Sequence, residues 1–242
     1  MIIYGRNSVR EALISDVTKI STIYIKQGVL GKENQEVIDL IKQSGVQYKF
    51  VARQKLDELS RGEANQGFVA KISDFAYSGV DEIINYAQAK GEQLFLVLLD
   101  GITDVNNLGN IIRSCECAGV HGIIMEKVRA CEVNATAIKV SAGAINHIKI
   151  ARVSNLPQTI NRLKKMGVWV YSVELGGKDI YKTNLKGDLA LVIGSEGEGT
   201  RRIVKQSCDD IITLPMCGKV NSLNASNATA IALYEALRQR LN

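Results

Sequence analysis

Three short segments carry small and polar residues where an α/β chain usually places its chemistry. Residues 211–230 read IITLPMCGKVNSLNASNATA. An apolar run stops at Pro215, a loop holds Gly218, Ser222 and Asn224 beside Leu223, and a small-residue helix is expected over 225–241. Strand, polar loop and helix N-terminus in that order form the usual seat of a small polar ligand. The second segment, residues 100–120 (DGITDVNNLGNIIRSCECAGV), ends a strand at Asp100 and carries Asp104, Asn106 and Asn107 in a loop. A helix follows, bearing Arg113 about two turns in, among Ile111, Ile112 and Cys115. An arginine in such company is expected to have an anionic partner, because an unpaired buried charge is costly. The third, residues 189–204 (LALVIGSEGEGTRRIV), runs an apolar strand into Gly194, Ser195, Glu196, Gly197, Glu198 and Gly199, then into a helix.

Glycines at a strand-to-helix turn allow a ligand to approach the backbone closely. The turn lacks the Lys-Ser or Lys-Thr of a P-loop. Its glutamates stand where a dinucleotide fold would hold pyrophosphate. They disfavour phosphate and suit a neutral or partly cationic ligand such as a sulfonium. Each segment alone also reads as ordinary structure: a salt-bridged arginine, a tight turn with solvated glutamates, a polar loop before a core helix. Together they outline one pocket without naming a reaction.

The elements needed to position these loops are visible in the hydrophobic pattern. Strands are expected at 20–26, 46–51 and 67–72, and helices at 8–14 and 33–43, which make a small α/β unit. A polar stretch follows, with an amphipathic helix over 80–90. From residue 94 the pattern changes: LFLVLLD is a continuous apolar run, as in a buried parallel strand, and HGIIME, ARVSN, VWVYSVEL, LALVIG and IITLP follow it, separated by helical segments. That alternation predicts a parallel sheet with helices on both faces. The expected division is a domain over 1–73, a linker over 74–93 and a larger, catalytic domain over 94–242.

Composition narrows the classes. The 242 residues carry a net charge of +5, which permits a polyanionic partner without demanding one. No apolar run is long enough to span a membrane, the N-terminus does not read as a signal peptide, and no membrane association is expected. Five cysteines without CxxC spacing and only two histidines suggest neither a zinc site nor a disulfide framework, and a cytoplasmic setting is expected.

The motif set itself, Asn107 with Arg113, Gly194-Ser195-Glu196-Gly197, and Pro215-Met216 with Ser222-Leu223-Asn224, resembles the three motifs of the SpoU (TrmH-type) RNA ribose methyltransferases of the SPOUT class. The resemblance extends to YGRNSVREAL at 4–13, NQGFVAKI at 65–72 and Ser141-Ala142-Gly143-Ala144. It departs from the family at Val105, where a proline is common, at Asn146, where an acid is common, and at Asn65, where a histidine is common.

The resemblance implies an α/β fold with a deep trefoil knot in the C-terminal domain, preceded by an N-terminal RNA-binding domain similar to ribosomal protein L30e. It implies transfer of a methyl group from S-adenosylmethionine to a ribose 2′-hydroxyl, most like that of a guanosine in the P loop of 23S rRNA, with no metal. It also implies a homodimer with the pocket near the partner subunit, for which the apolar face of the last helix (Ile231, Leu233, Leu237, Leu241) is one candidate and core packing the other. On the family pattern Arg113, Asn107, Glu196, Ser222 and Asn224 are catalytic. Asn107 and Glu196 would fix the Arg113 side chain and the loop, and Ser222 and Asn224 would orient the acceptor. Gly194, Leu214, Met216 and Leu223 would line the adenosine pocket, while Arg6, Asn7, Arg10 and Gln66 would meet RNA. A guanidinium is effectively always protonated, so Arg113 fits a role holding phosphate and stabilising alkoxide charge better than that of a base. Three alternatives remain open: a tRNA substrate, a catalytically silent RNA-binding relative, and a nicotinamide-dependent oxidoreductase, which would need a glycine fingerprint that DGITDVNNLG lacks.

Overall fold

The computed structural model describes residues 1–29, 31–73, 75–219 and 222–242. Val220 and Asn221, in the loop singled out above, and Asp74, the first residue of the expected linker, lie outside them.

The chain begins with β1 (Ile2–Tyr4), α1 (Arg6–Ser15), β2 (Ile20–Lys26), α2 (Lys32–Gln43), β3 (Tyr48–Val51), α3 (Arg53–Leu59) and β4 (Phe68–Ile72). It continues through α4 (Val80–Lys90), β5 (Phe95–Asp100), α5 (Val105–Cys117), β6 (Gly122–Glu126), α6 (Ala135–Val140), β7 (Lys149–Val153) and α7 (Leu156–Lys165). The last elements are β8 (Trp169–Asp179), β9 (Leu189–Gly194), α8 (Arg202–Ser207), β10 (Asp210–Thr213) and α9 (Ala225–Arg240). They form two compact units.

The first unit takes residues 1–76 and 133–146. Its four-stranded sheet runs in the order β1-β4-β2-β3, with β4 antiparallel to both neighbours and β2 parallel to β3. The division expected at 74–93 is therefore interrupted, because α6 and the Ser141–Ala144 block belong to this unit. Asn134 caps α6 by accepting from the Ala137 amide at 3.0 Å, Tyr4 pairs its hydroxyl with Thr136, and Lys139 lies over the Tyr4 ring. Gly143 has φ +96°, and a β-carbon there would come within 2.8 Å of Glu11, so the turn tolerates no side chain.

The second unit takes residues 77–132 and 147–242. Its six-stranded sheet runs β10-β8-β9-β5-β6-β7, parallel throughout, as the alternating pattern predicted. The near-continuous apolar strands β5 and β9 sit at its centre with every residue from Phe95 to Asp100 buried. Leu96, Leu98, Ala190 and Val192 share one core with Ile160 and Leu163 of α7. Each such fully buried leucine or isoleucine contributes about 1.5–3 kcal/mol. Residues 80–90 are not a connector: α4 buries Ile83, Ile84 and Ala87 in the same core. At the other end, α9 lays Ala225, Thr229, Ala232, Leu233 and Ala236 inward, and these small residues let it pack closely on α5. Leu233 is therefore core rather than surface, whereas Ile231, Tyr234 and Leu241 are exposed.

Candidate active site

The site lies at the carboxyl ends of the central strands of the second unit, where parallel sheets present their loops. Loop 195–199, after β9, closes on itself: Ser195 and Gly199 exchange backbone hydrogen bonds of 3.1 and 3.0 Å. Gly194 is obligatory for this closure, since a β-carbon there would lie 2.1 Å from the Gly199 carbonyl carbon. Behind the loop, Asp100 at the end of β5 accepts from both the backbone amide (2.8 Å) and Nε (2.6 Å) of Arg201. Arg201 also reaches Glu126 at the end of β6, 2.9 Å away. The paired carboxylates, Asp100 first, raise the already high pKa of the guanidinium, so it stays charged. One fixed charge thus ties the ends of β5 and β6 to the start of α8.

Glu196 is the meeting point of the three segments. Its Oε1 accepts from Asn107 Nδ2 at 3.0 Å, from Asn224 Nδ2 and, more weakly, from the Ala225 amide at 3.4 Å. Asn224 Nδ2 spends its other proton on Asn107 Oδ1 at 2.9 Å. Asn224 Oδ1 in turn caps α9 by accepting from the Ser226 and Asn227 amides, while Asp104 caps α5 by accepting from the Asn107 amide at 2.7 Å. Two capped helix starts therefore converge on one carboxylate, which the positive ends of the helix dipoles favour.

Two cavities open on either side of Glu196. The larger, about 320 Å³, is walled by Gly194, Leu214, Met216, Ser222 and Leu223, together with Glu174, Glu196 and Glu198. That volume falls within the range of small-molecule sites. The smaller, about 150 Å³, is bounded by residues 101–104 and Asn107 and shares Ser195, Glu196 and Gly197 with the first. The apolar and glycine positions expected to line an adenosine pocket therefore all face the larger cavity, and the acidic lining suits a cationic centre.

Arg113 departs from the expectation. It is exposed, lines neither cavity and has no ion pair or hydrogen bond among the described residues. Ile111, Ile112 and Cys115 are buried, but one residue of helix turns the side chain by about 100°, and Arg113 falls on the opposite face with Asn106 and Asn110. Asn107 and Glu196 hold each other and Asn224, not Arg113. Ser222 is exposed at the mouth of the larger cavity.

In the first unit Arg6, Asn7 and Arg10 lie on α1. Gln66, in a left-handed turn (φ +51°) before β4, accepts from the Arg6 amide at 3.1 Å. Arg6 and Arg10 also pair with Glu33 and Glu11, surface contacts worth little and easily exchanged. The residues that motif reading missed are Asp100, Arg201 and Glu174. Only the acid ending LFLVLLD gave a local hint.

Comparison with known proteins decides the family. The model of the SpoU rRNA Methylase family matches residues 94–234, and that of RNA 2′-O ribose methyltransferase substrate binding matches residues 2–78. This chain belongs to the SpoU rRNA methylase family. As a SpoU member it is an RNA methyltransferase. It is similar to a TrmH family tRNA/rRNA methyltransferase of Bacillus subtilis, YacO, at 41% identity over 98% of this chain and 95% of that one. It is also similar to the 23S rRNA (guanosine-2′-O-)-methyltransferase RlmB of Escherichia coli, at 38% identity over 99% and 98%. Among solved structures, the SpoU methyltransferase AviRb of Streptomyces viridochromogenes in complex with the cofactor AdoMet superposes with a TM-score of 0.84 at 25% identity, covering 100% of this chain and 91% of that one. The AdoMet-bound rRNA methyltransferase of Sinorhizobium meliloti gives 0.79 at 25% identity, covering 100% and 88%.

Proposed function

We propose that this protein transfers the methyl group of S-adenosylmethionine to the ribose 2′-hydroxyl of a guanosine in the P loop of 23S rRNA. The observation that carries the reading is Glu196, held by Asn107 and Asn224 on the wall between two cavities. The donor occupies the larger cavity, its adenosine against Leu214, Met216 and Leu223 and its sulfonium toward the glutamates. The acceptor ribose approaches the smaller one. The hydroxyl oxygen attacks the methyl carbon, the carbon–sulfur bond breaks, S-adenosylhomocysteine leaves, and the proton passes to phosphate or water. No metal is required by this chemistry, and alignment of the reacting groups can supply roughly 7–11 kcal/mol of the barrier.

Arg113 holds the acceptor phosphate in this proposal and stabilises developing alkoxide charge. Because it lines neither cavity of its own chain, its action fits a homodimer in which the pocket lies near the partner subunit. The deep trefoil knot and the L30e-like character of the first unit belong to the same reading, as do RNA contacts by Arg6, Asn7, Arg10 and Gln66. Work on ribosomal RNA sets it in the cytoplasm. A tRNA substrate is the second reading, favoured by the name of the Bacillus subtilis relative, which keeps both RNAs.

Mapping ribose methylation in rRNA and tRNA from cells with and without the gene tests both. Loss of one guanosine mark in the P loop is expected. A mark lost from tRNA instead moves the substrate, and no mark lost from either RNA removes the proposal.

A further inference from the structure

We infer that the exposed aromatic pair Tyr48 and Phe50, on the edge strand β3 of the first unit, is a stacking platform for unpaired bases of the RNA substrate. The inference rests on the reading of the first unit as the part that meets RNA. β3 closes one side of the four-stranded sheet, next to β2. Tyr48 and Phe50 lie in register with Ile23 and Ile25 and share a face with them. The two isoleucines are fully buried, whereas Tyr48 is 37% and Phe50 47% exposed. The apolar face of the sheet therefore continues one strand past the residues that are covered. Single exposed apolar side chains are ordinary, but here two rings touch, with centroids 6.0 Å apart and planes at 89°. Neither ring is stacked on the other, which leaves π surface for a third ring.

The charge beside the rings selects the occupant. Between positions 42 and 55 the charged residues are Lys42, Lys49, Arg53 and Lys55, with no acid among them. Lys42 and Lys49 have no ion pair among the described residues. Arg53 and Lys55 pair with Asp57 and Glu58 of their own helix, exposed contacts that exchange easily. Aromatic rings interleaved with cations suit single-stranded nucleic acid, whose bases stack on the rings while its phosphates meet the cations. The rival occupant is a second copy of the chain pairing along the same edge. β3 is only four residues long and carries Lys49 inside it. Short edge strands and edge lysines are devices that resist such pairing.

The register joins this platform to the residues expected to meet RNA. Ile25 pairs with Phe50 on one side and Phe68 on the other, and the Gly5 amide donates to the Phe68 carbonyl at 3.0 Å. Phe50, Ile25, Phe68 and Gly5 form one row across the sheet, about 14 Å long at three strand spacings. At the far end of that row α1 starts with Arg6, whose amide is held by Gln66. One RNA segment lying across this end of the sheet meets Arg6 with its phosphates and Phe50 with an unpaired base.

The test measures methyl transfer over a range of concentrations of 23S rRNA lacking the mark, and direct binding of a fluorescent oligoadenylate and its abasic counterpart of equal length. Phe50→Ala should raise the KM for rRNA and weaken oligoadenylate binding roughly 5- to 150-fold, the range of one base–aromatic stack. Its kcat, its affinity for the abasic probe and its salt dependence should stay the same. Phe50→Trp, which keeps a π face, should bind as the unsubstituted protein does. Lys49→Gln should instead weaken both probes alike and lower the slope of log affinity against log salt by about 0.7. An unchanged KM in Phe50→Ala, or equal weakening of both probes, overturns the platform and leaves the other RNA contacts standing. A change in the sedimentation of Phe50→Ala makes the edge a contact between copies and overturns it too. If Arg6→Ala combined with Arg10→Ala also leaves the KM for rRNA unchanged, the reading of the first unit as the RNA-binding part falls as well.

Discussion

Removing the Glu196 carboxylate should release the 195–199 loop from the other two segments, which Asn224 still joins through Asn107 Oδ1, without unfolding the protein. Oε1 accepts two bonds of full strength, from Asn107 and Asn224, and a third, long one from the Ala225 amide. Hydrogen bonds to an ionised acceptor are worth about 1.5–3 kcal/mol when dry, but Glu196 is exposed and water takes over part of each, so about 1 kcal/mol apiece is the better figure. Two such bonds sum to about 2 kcal/mol, or roughly a 30-fold loss of kcat/KM for Glu196→Ala if the network acts in the transition state.

Initial rates of methyl transfer from labelled S-adenosylmethionine into rRNA lacking the mark would measure it, with Asn107→Ala and the double variant completing a cycle. Asn107 is the better partner for the cycle because Asn224 also caps α9, and its loss would add a separate cost of about 1 kcal/mol in stability. Asn107 and Glu196 share one bond and each has one more with Asn224, so the double variant loses three bonds, about 3 kcal/mol, and should fall roughly 150-fold, about fivefold below either single variant. A double variant whose loss equals the product of the two single losses, near 1000-fold, would show that the residues act independently and refute the argument. Glu196→Gln keeps an acceptor oxygen and should stay within about tenfold of the unsubstituted rate.

Arg113→Lys keeps the charge but loses the planar fork, and a fall of more than about 100-fold in methyl transfer with donor affinity unchanged is expected; near-normal turnover removes Arg113 from the chemistry. Arg201→Met leaves the fully buried Asp100 carboxylate without its partner, and unfolding by denaturant should register about 3 kcal/mol of lost stability, the low end of such losses because Arg201 is 25% exposed. Gly194→Ala forces a β-carbon into the Gly199 backbone, so S-adenosylhomocysteine binding by calorimetry should drop at least tenfold or vanish. Cys115 is fully buried, and burial pushes the Cys208 thiol up to about 12, so both should resist a thiol reagent at pH 8, where exposed Cys117 and Cys217 react first. Modification of Cys208 as fast as Cys217 would contradict that burial.

Much of the fold is legible because its strands are extreme. LFLVLLD is apolar up to its final acid and LALVIG throughout, the pattern of strands covered on both faces, and they are the two central neighbours β5 and β9. The helix at 80–90 is legible from its periodicity, but its burial is not, because a short amphipathic helix looks the same in a linker and against a core. In the site, Asn107, Glu196 and Asn224 announce themselves by standing beside glycines and helix starts. Arg113 misleads because neighbours in sequence are not neighbours around a helix. Asp100 and Arg201 are separated by 101 positions, and nothing local marks either as the other's partner. Glu174 is an ordinary glutamate at the end of VWVYSVEL until the cavity it lines and the Lys205 ammonium, 2.6 Å away, give it a setting.

The return of residues 133–146 to the first unit has a consequence for biosynthesis. Tyr4 emerges from the ribosome before the rest of its sheet, yet Thr136 and Lys139, which meet its hydroxyl and its ring, come long after β4 has completed that sheet. At roughly 5–20 residues per second the nascent sheet waits several seconds with the face later covered by α6 open to solvent. A fragment ending at Ala76 would remain in that waiting state permanently, with Tyr4 lacking part of its cover. For expression and for any chaperone that attends the nascent chain, the N-terminal module is finished only when residue 146 has been made.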